Sequence, residues 1–567
     1  MARIIKGEDL LNNDDIKNLL KEHIKNNYLI GIPTETVYGL GGNSLSTESL
    51  SNIFRMKNRP TSDPIISHVY DISQAYDKLY HINVFEKYII YILGKHFWPG
   101  PLSIIAKAKK NVPLILTAYT QFCAVRIPDN IIAKEIIKIC DTPIAAPSAN
   151  KFKHISPTNS LHVLEEFKNE KNLLIFDSGQ CDIGIESTVI KITKYKHSKK
   201  SKKLSVNGNF TNKSVTDKDY GDCDVDGDDE VVTDCDYEYE CNTEMYNMKK
   251  SLNCISETNN MEVYERLKNY FDTISMGTCN TNDDNNSYSI INNLIKYKNL
   301  YKYEIKIFRR GKYTKTDIER VLKNNILLNN IEVNIFKKIK YENLYILKNN
   351  TQEICTSKLD SDNMLVSEGD EHNDINKTYN DINKTYNNIN KTYNDINKTH
   401  NDISTSLNAN TIHNTDDEKN QICPGLMITH YSPIVTTYLI DNMSTDEYKQ
   451  KYKNSNVLNM NTKKCIFLDI GGSFLNHQHF FFKYLNISYN NESSKEERIQ
   501  YVTKYFFLFL RKAENVAIQN KAENIFISIV NLKSCDEHSL SIYDRIFRAA
   551  SGKVLKTFIN NDNLLLF

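Results

Sequence analysis

The sequence predicts an α/β protein with two folded regions separated by polar inserts. Short apolar runs alternate with amphipathic stretches from residue 1 to about 195, and the same alternation returns after residue 436. Alternating strand and helix patterns are typical of α/β domains. The intervening segments are rich in Asn, Asp, Ser and Lys. Such segments bury too little apolar surface to offset their chain entropy.

In the first region, five apolar runs bounded by turn residues predict strands at 29–33, 103–106, 123–127, 173–177 and 188–192. Amphipathic stretches predict helices over Asp14–Lys25, with Asp14 as N-cap, Thr47–Met56 and Ser160–Phe167.

The second region contains its own alternation of strands and helices. Strands are predicted at Lys464–Gly471 and Ile525–Ile529, and a further strand at Glu304–Phe308 lies between the inserts. Helices are predicted at Ser494–Lys512, where Ser494 and Glu497 have the spacing of a capping box, and at Ser541–Ala550.

Two inserts divide the chain and contain motifs with weak functional signals. An acidic run over 217–240 holds twelve carboxylates and one lysine, and its Asp222–Gly227 stretch imitates the start of a calcium loop. Thr233 stands where that loop needs a bidentate Glu, so a solvated linker is favoured. A seven-residue repeat beginning at Asn373 imitates a coiled-coil seam, but its Asn, Thr and Asp content favours a disordered tract.

The predicted domain organisation follows from these composition changes. It comprises a first α/β domain at 1–195, a disordered insert at 196–300, a linker segment at 301–348, a repeat insert at 349–420, a second linker segment at 421–435 and a C-terminal α/β domain at 436–567.

Composition excludes several classes of protein. The 71 Lys and Arg residues almost balance the 70 Asp and Glu residues, which argues against a protein that coats nucleic acid or an anionic membrane. Twelve cysteines without a C-x-x-C pair indicate neither a disulfide framework nor a zinc cluster. The chain also lacks an apolar stretch of about 20 residues and an N-terminal secretory signal. We therefore expect a cytoplasmic protein without a membrane association.

Four clusters in the first region combine Gly or Pro turns with hydroxyl and cationic side chains. They are P-T-E-T-V-Y-G-L-G from Pro33, K-N-R-P from Lys57, A-V-R-I-P from Ala124, and the group P-S-A-N, S-P-T and G-I-E-S-T-V from Pro147 to Val189. Hydroxyls and backbone N–H groups at strand ends can hold an amino acid or an anion. A Lys and an Arg two residues apart suit an oligophosphate, although an isolated K-x-R is usually a solvated helix end. A buried Arg126 has either a protein carboxylate or an anionic ligand as its partner.

The order of these motifs, together with W-P-G-P-L from Trp98, resembles the YrdC-like family over residues 1 to 195. Arg309-x-Gly311, His430-Tyr431-Ser432-Pro433 and the final stretch Ile542–Ala550 resemble the linker and C-terminal domain of its two-domain form. The resemblance implies a twisted open mixed sheet, a smaller Rossmann-like C-terminal domain, and synthesis of threonylcarbamoyl-AMP from L-threonine, bicarbonate and ATP for a tRNA modification.

The resemblance also implies site residues by motif position. The catalytic K-x-R and S-x-N groups are Lys57, Arg59, Ser148 and Asn150. The ATP contacts are Arg59, Asp63, Phe122, Asn150, Thr158, Arg309 and Tyr431. The threonine contacts are Thr34, His68, Arg126, Ser148, Ser187 and Thr188. The family usually has Asn at the position of Asp63 and Thr at that of Phe122.

The expected chemistry needs positioning more than a nucleophilic side chain. A carbamate formed from threonine has to attack the α-phosphorus of ATP in line with departing pyrophosphate. Both reactants are anionic, so Lys57, Arg59 and a Mg²⁺ that accompanies ATP would neutralise charge. A linker crossing the cleft would protect the carbamate from water. No metal ligand from the protein is predicted. The product would pass to a downstream threonylcarbamoyl transferase complex. Stable binding of tRNA by this chain is not expected.

Three alternatives remain at this point. The same fold could serve as an RNA- or nucleotide-binding module without turnover, which a basic concave face would favour. A carbamoyltransferase of the hydrogenase-maturation type contains a related domain, but that class has zinc-binding cysteine pairs and additional domains. An interaction scaffold built on the repeats would place the function in the inserts.

Overall fold

The computed structural model describes residues 1–196, 294–336 and 421–567, except for 326, 426, 428, 488–492, 529–536 and 561–562. The calcium-loop-like stretch at Asp222 and the repeat beginning at Asn373 lie outside the described residues. Residues 294–300 are helical and Leu294 is buried, although the composition places them in the first insert.

Most described strands belong to one large mixed sheet. Its eleven strands are β1 Arg3–Lys6, β2 Ile30–Ile32, β3 Gly39–Asn43, β4 Ile66–His68, β5 Leu102–Lys107, β6 Phe122–Arg126, β7 Ile144–Ala145, β8 Leu174–Asp177, β9 Thr188–Lys196, β10 Tyr301–Arg309 and β11 Glu332–Ile335. They hydrogen-bond in the order β1-β8-β2-β3-β7-β4-β6-β5-β9-β10-β11. The mixed α/β sheet predicted for the first region is therefore confirmed.

Helices pack on this sheet along their apolar sides. They are α1 Gly7–Asn12, α2 Asp14–Lys25, α3 Thr47–Lys57, α4 Val84–Phe97, α5 Ile131–Cys140, α6 Ser160–Phe167 and α7 Lys315–Lys323. Two cores result, one centred on α3 and α4 and one between α2, α5 and strands β1, β2 and β8. In the described part of the chain, no helix is both long and apolar enough to cross a bilayer.

The predicted elements of this region agree with the structure, with one correction at a helix start. The N-cap of α2 is Asn13, whose side chain accepts a hydrogen bond from the Asp15 backbone N–H at 2.9 Å, whereas Asp14 is already helical. Asn and Asp are similar N-caps, so the local sequence favours neither. The apolar helices α4 and α5 and the short strands β3, β4 and β7 have no counterpart in the sequence predictions.

Residues 301–336, expected to be a linker, extend the first sheet instead. Strand β10 pairs antiparallel with β9, and β11 adds to β10 in parallel. The register of β10 against β9 shifts between Ile307 and Arg309. Bulges of this kind re-aim side chains. Strands from both sides of the first insert therefore belong to one sheet. The bulge directs Arg309 toward the residues that precede β9.

The C-terminal region forms a second sheet with helices on one face. Its strands are β12 Thr437–Asn442, β13 Cys465–Ile470, β14 Lys483–Ile487, β15 Asn524–Ser528, β16 Val554–Asn560 and β17 Asn563–Leu566, in the order β14-β13-β15-β12-β16-β17. All neighbours are parallel except β16 and β17. Helices α8 Lys495–Gln519 and α9 Glu537–Ala549 cover one face, and the predicted Ser494–Glu497 capping box is present. A Rossmann-like arrangement is thus confirmed.

A buried ion cluster joins α8 to the first region. The His154 ring contacts Glu166 through Nδ1 and Glu514 through Nε2, the latter at 3.0 Å. Arg511 Nη2 lies 2.7 Å from Glu166 Oε1. Burial alone would lower the pKa of His154, but the two carboxylates raise it to about 9. Burial opposes ionisation of Glu166, yet hydrogen bonding to His154 and the charge of Arg511 lower its pKa to about 2.

This cluster predicts how stability depends on pH. His154 stabilises the folded state fully below its ordinary pKa of 6.5, and that contribution is lost as the pH rises toward 9. Glu166 contributes above its ordinary pKa of 4.5, and that contribution is lost as the pH falls toward 2. We expect denaturant unfolding to show the highest free energy of unfolding between pH 4.5 and 6.5.

The matched test compares His154→Gln with His96→Gln, because the exposed His96 ring contacts a backbone carbonyl rather than a carboxylate. His154→Gln should flatten the alkaline decline and His96→Gln should leave it unchanged. An unaltered pH profile in His154→Gln would contradict the assigned coupling.

Candidate functional site

A cavity of about 60 Å³ lies among loops at the ends of β2, β4, β6 and β9. Its walls come from turns after strands, where side chains and backbone groups converge. The lining residues are Thr34, Thr36, Val37, Gly39, Arg59, Pro64, Ile65, Ile66, His68, Arg126, Ala146, Pro147, Ser148, Glu186, Ser187, Arg309, Pro424, Gly425, His430 and Tyr431. Residues distant in sequence thus share one site.

Eight of the sequence-predicted site residues line this cavity. They are Thr34, Arg59, His68, Arg126, Ser148, Ser187, Arg309 and Tyr431. Six others do not line it: Lys57, Asp63, Phe122, Asn150, Thr158 and Thr188. The structure therefore brings the K-x-R motif next to the S-x-N motif. Only one residue of each motif faces the cavity, Arg59 of the first and Ser148 of the second.

Lys57 holds the loop that carries Ser148 and Asn150. Its Nζ donates to the backbone carbonyls of both residues. Lys57 is the last residue of α3, and Asn58 follows with φ 54, a left-handed conformation that Asn tolerates well. That reversal turns Arg59 toward the cavity while Lys57 points into the loop. Burial, followed by the charge of Arg59, lowers the pKa of Lys57 well below its ordinary value.

Arg59 is held by a short local network. Its Nη2 pairs with Asp63 Oδ2 at 3.0 Å and donates to the Pro64 carbonyl at 2.8 Å. Burial raises the pKa of Asp63 even though Arg59 opposes the rise. Asp63 Oδ1 has no hydrogen-bond partner among the described residues. Asp63 thus orients the guanidinium from behind the cavity wall.

Arg126 has the protein partner that the sequence left open, and it also faces the cavity. Its Nη2 lies 2.6 Å from Glu35 Oε2, and its Nη1 donates to Thr36 Oγ1 at 3.0 Å. Its Nε has no hydrogen-bond partner in the described part of the chain. Burial, reinforced by Arg126, lowers the pKa of neighbouring His68 to about 3, so this imidazole is neutral near pH 7.

The segment carrying His430 and Tyr431 covers the cavity. Tyr431 is almost fully buried, with φ 61, and its ring packs on His430 and on Phe507 of α8. Burial, followed by the charge of Arg59, lowers the pKa of His430 well below its ordinary value. His430 Nδ1 lacks a hydrogen-bond partner within the described ranges. This covering segment thus presents a neutral imidazole and a phenol to the site.

Arg309 joins the opposite wall to Ser187, the residue directly before β9. Its Nε donates to the Ser187 carbonyl and its Nη2 to Ser187 Oγ, both at 3.0 Å. A Cβ on Gly311 would stand 2.3 Å from the Thr188 backbone nitrogen, so only glycine permits this approach. The R-x-G motif is therefore explained by one guanidinium contact and one steric requirement.

Three of the predicted residues lie behind the walls with partners of their own. Thr188 Oγ1 donates to the Tyr313 carbonyl at 2.8 Å. Thr158 Oγ1 lies 3.5 Å from both His162 Nδ1 and Gln180 Oε1. Phe122 packs in a small core, under the ammonium of Lys191. None of these three side chains faces the cavity as the structure stands.

Several lining residues were absent from the predicted set. Thr36 and Glu186 line the cavity and stand inside quoted motifs, but neither was among the predicted site residues. Glu186 accepts from Ser156 Oγ at 2.8 Å and pairs with Arg545 Nε of α9 at 3.4 Å. A pairing so distant in sequence leaves no local signal. Glu186 thereby connects the cavity wall to the C-terminal helix.

The covering segment is fastened to both α8 and α9. Glu514 Oε1 accepts from the Ile434 backbone N–H at 2.6 Å. Ser432 Oγ donates to the Ala549 carbonyl at 3.0 Å, and Arg548 Nη1 donates to the Met427 carbonyl. The second sheet and its helices thus provide the support on which the cover of the cavity rests.

Family models match both folded regions of the chain. A model described as "Telomere recombination" (Sua5_yciO_yrdC) matches residues 22–201. A model described as "Threonylcarbamoyl-AMP synthase, C-terminal domain" matches residues 385–551. These two regions are the ones in which the sequence motifs and the described sheets occur.

Curated relatives give the same family. The chain is 39% identical to the threonylcarbamoyl-AMP synthase of Pyrococcus abyssi over 175 residues, covering 30% of this chain and 49% of the relative. Identity is 41% to that of Schizosaccharomyces pombe, covering 29% and 44%. A putative threonylcarbamoyl-AMP synthase of Methanocaldococcus jannaschii is 31% identical, covering 34% of this chain and 87% of the relative. The chain thus spans about half the length of the first two relatives.

Solved structures show a similar fold. A crystal structure of Pyrococcus abyssi Sua5 complexed with L-threonine covers 98% of this chain and 99% of that chain, with 16% identity and a TM-score of 0.50. This likeness shows the fold, and the relatives together with the two matching family models confirm the family that the motifs predicted. The chain belongs to the threonylcarbamoyl-AMP synthase (Sua5/YciO/YrdC) family.

Proposed function

We propose that this chain is an L-threonylcarbamoyladenylate synthase, a nucleotidyltransferase that forms threonylcarbamoyl-AMP and pyrophosphate from L-threonine, bicarbonate and ATP. The observation that carries the proposal is one cavity lined by three arginines, Arg59, Arg126 and Arg309, together with the hydroxyls of Ser148 and Ser187. The names of the relatives, and the L-threonine bound to the Pyrococcus abyssi protein, support it.

The three arginines divide the cavity into two positively charged subsites, each of which can bind an anion. Arg59 and Arg309 lie beside the covering Tyr431, and we assign them to the phosphates of ATP. Arg126 lies beside Thr34 and the neutral His68, and we assign this group to threonine. Because Glu35 already pairs with Arg126, the guanidinium is held in one orientation before a carboxylate arrives. Preorganised charge of this kind costs no rearrangement during the reaction.

Lys57 acts in this proposal through the loop rather than on the phosphates directly. Its two bonds to the carbonyls of Ser148 and Asn150 hold the S-x-N turn at the cavity wall. Asn150 Nδ2 in turn donates to the carbonyls of Lys151 and His154. Position alone can supply several kcal/mol of barrier reduction, roughly 7–11 in the most favourable intramolecular cases.

The reaction then needs only alignment and exclusion of water. Threonine's amine adds to CO2 from bicarbonate, and the resulting carbamate oxygen forms a bond to the α-phosphorus while the bond to pyrophosphate breaks. Ser148 and Ser187 can donate to the oxygens on which charge develops. The covering segment with His430 and Tyr431 would shield the carbamate from hydrolysis. Since the cavity is only about 60 Å³, this segment has to move for ATP to enter.

The metal requirement of this reaction would be met largely by the substrate. In the part of the chain that the structure describes, no cluster of three or more His, Cys, Asp or Glu side chains could hold a metal ion. Mg²⁺ commonly binds through substrate phosphates, waters and one or two carboxylates. Asp63 pairs with Arg59 behind the cavity wall, so its role would be to orient Arg59 and not to contact a nucleotide-bound Mg²⁺ directly. That ion would withdraw charge from the phosphates when bound.

The partners of the proposed reaction follow from its labile product. The product is a mixed anhydride of a carbamate and AMP, and it has to reach a threonylcarbamoyl transferase complex before water hydrolyses it. That complex would use the product for tRNA modification. We place this transfer in the cytoplasm. Stable tRNA binding by this chain is not part of the proposal, because its near-neutral charge provides little long-range attraction for a polyanion.

The first prediction concerns Arg59. Purified protein should release pyrophosphate from ATP only with threonine and bicarbonate present, and Arg59→Ala should lower kcat by roughly 100- to 1,000-fold, the usual cost of removing one positioned charge donor. Arg55→Ala is the matched control, because Arg55 is an exposed arginine of α3, the helix that ends two residues before Arg59. Nucleotide binding without threonine-dependent pyrophosphate would favour a binding module, and an active Arg59→Ala would refute the phosphate assignment.

A second prediction concerns Glu514, which is a positioning residue outside the cavity. Glu514 contacts His154 and the Ile434 backbone, so it links the S-x-N loop to the covering segment. Glu514→Gln removes the charge that pairs with His154, and we expect kcat to fall by about tenfold with a smaller change in KM, since a misplacement on the order of 1 Å costs up to about 100-fold.

The readouts are steady-state kinetics and amide hydrogen exchange of residues 150–156 and 429–434, which should speed up in this variant alone. Glu523→Gln is the control, because Glu523 forms an exposed pair with Lys464 in the same domain. Unchanged exchange together with unchanged kcat would show that Glu514 does not position the site.

A further inference from the structure

The second sheet carries a row of polar side chains that the proposed reaction does not use. Asn486 on β14, Asp469 on β13 and Ser528 on β15 are register partners across three adjacent parallel strands. Register partners in a parallel sheet point to the same face. Two residues earlier on the same face, β13 and β15 carry the apolar side chains of Phe467 and Phe526. The row therefore interrupts an apolar core at the carboxyl ends of its strands.

Two residues of the row are fully buried and Asn486 is partly buried, and each of the three has an oxygen atom without a hydrogen-bond partner in the described part of the chain. Asp469 and Ser528 are both 0% exposed. Asp469 Oδ2 accepts from the Tyr484 hydroxyl at 2.6 Å and from the Phe474 backbone N–H at 2.7 Å. Among the described residues, Asp469 Oδ1, Asn486 Oδ1 and Ser528 Oγ have no hydrogen-bond partner. A buried polar atom without a hydrogen-bond partner destabilises the folded state, so three such atoms in one row indicate a missing common partner.

The topology places this row where open α/β sheets bind ligands. The segment that follows β13 packs Phe474, Phe480 and Phe481 on the same face of the sheet as the row. The helix α9 that follows β15 packs Ile542 and Ile546 on the opposite face. Adjacent strands whose connections leave to opposite faces create a crevice at their carboxyl ends, and ligands of such sheets bind there.

The charge of the row decides the class of ligand. Within the described residues, Asp469 forms no ion pair with a lysine, arginine or histidine. Burial raises its pKa, although Tyr484 and backbone N–H groups oppose the rise, so the carboxylate lacks a compensating positive charge. A phosphate or carboxylate ligand would be repelled. A carboxylate oxygen, an amide oxygen and a hydroxyl together match a hard metal ion or the three N–H donors of an ammonium group.

We propose that Asp469, Asn486 and Ser528 form a binding site for a compact cation, either a metal ion or the protonated primary amine of a small molecule, in the C-terminal domain. The turn after β13 fits this role. Gly471 and Gly472 adopt φ values of 97 and 74, and they bring Ser473 back beside Asp469. Ser473 Oγ is a further buried oxygen without a hydrogen-bond partner in the described part of the chain. This site is independent of the nucleotide cleft.

The experiment measures thermal unfolding of the full-length, chelator-treated protein without ATP. The probes are MgCl2, CaCl2, KCl and methylammonium chloride, with tetramethylammonium chloride as the ionic-strength control because it has no N–H donor. A bound cation raises Tm in a saturable way. We expect a rise of roughly 2–4 °C with either a metal salt or methylammonium. The salt that acts identifies the source of the cation.

Variants locate the effect. Asp469→Asn should abolish the rise, and Ser528→Ala, which leaves the charge unchanged, should weaken the apparent affinity at least fivefold. Asp446→Asn is the matched control, because Asp446 is an exposed carboxylate of the same domain. If no probe exceeds tetramethylammonium, or if the rise persists in both Asp469→Asn and Ser528→Ala, the row holds only a buried water or a protonated carboxyl group and the proposal is wrong.

Discussion

The loop from Ser148 to Ser156 is held by buried charged side chains on both of its sides, and the cavity takes its shape from this loop. Lys57 bonds its start from within the first sheet domain. His154 and Arg511 hold its end against Glu166 and α8. A buried charge is costly without a partner, so each of these contacts has few alternative arrangements. The loop consequently behaves as a rigid wall, not as a flexible surface turn.

Because α8 helps to hold this loop, the C-terminal domain belongs to the site although it contributes no strand to the first sheet. Helix α8 supplies Glu514 and Phe507 beneath the covering segment, and α9 supplies Arg545 to Glu186. Gly184, with φ 80, allows the backbone of α8 to approach, since a Cβ there would lie 2.5 Å from two of its carbonyl oxygens. The two domains are therefore coupled through backbone contacts as well as through charge.

Two crevices with opposite electrostatic character result from this architecture. The first is lined by three arginines and is suited to anions, whereas the second is centred on Asp469 and is suited to a cation. Both lie at strand ends, where parallel strands direct side chains and turns to a common edge. The same sheet geometry thus supports two different ligand classes, and only the residue types at the strand ends distinguish them.

The sequence by itself determined the α/β class, the boundaries of helices such as Ser160–Phe167, the Ser494–Glu497 capping box and the motifs that identify the family. These features depend on residues that are neighbours along the chain. Periodicity and capping are local, and motif spacing is preserved whatever the chain does elsewhere.

Only the tertiary structure decided which motif residues face the cavity. Lys57 and Arg59 are two residues apart, yet the left-handed Asn58 sends them to different surroundings. The ion pairs of Glu35 with Arg126 and of Glu186 with Arg545 join residues far apart in sequence, and so does the register that aligns Asp469 with Ser528. Such contacts depend on how whole strands and helices pack, and packing free energy is a property of the folded chain that no local pattern contains.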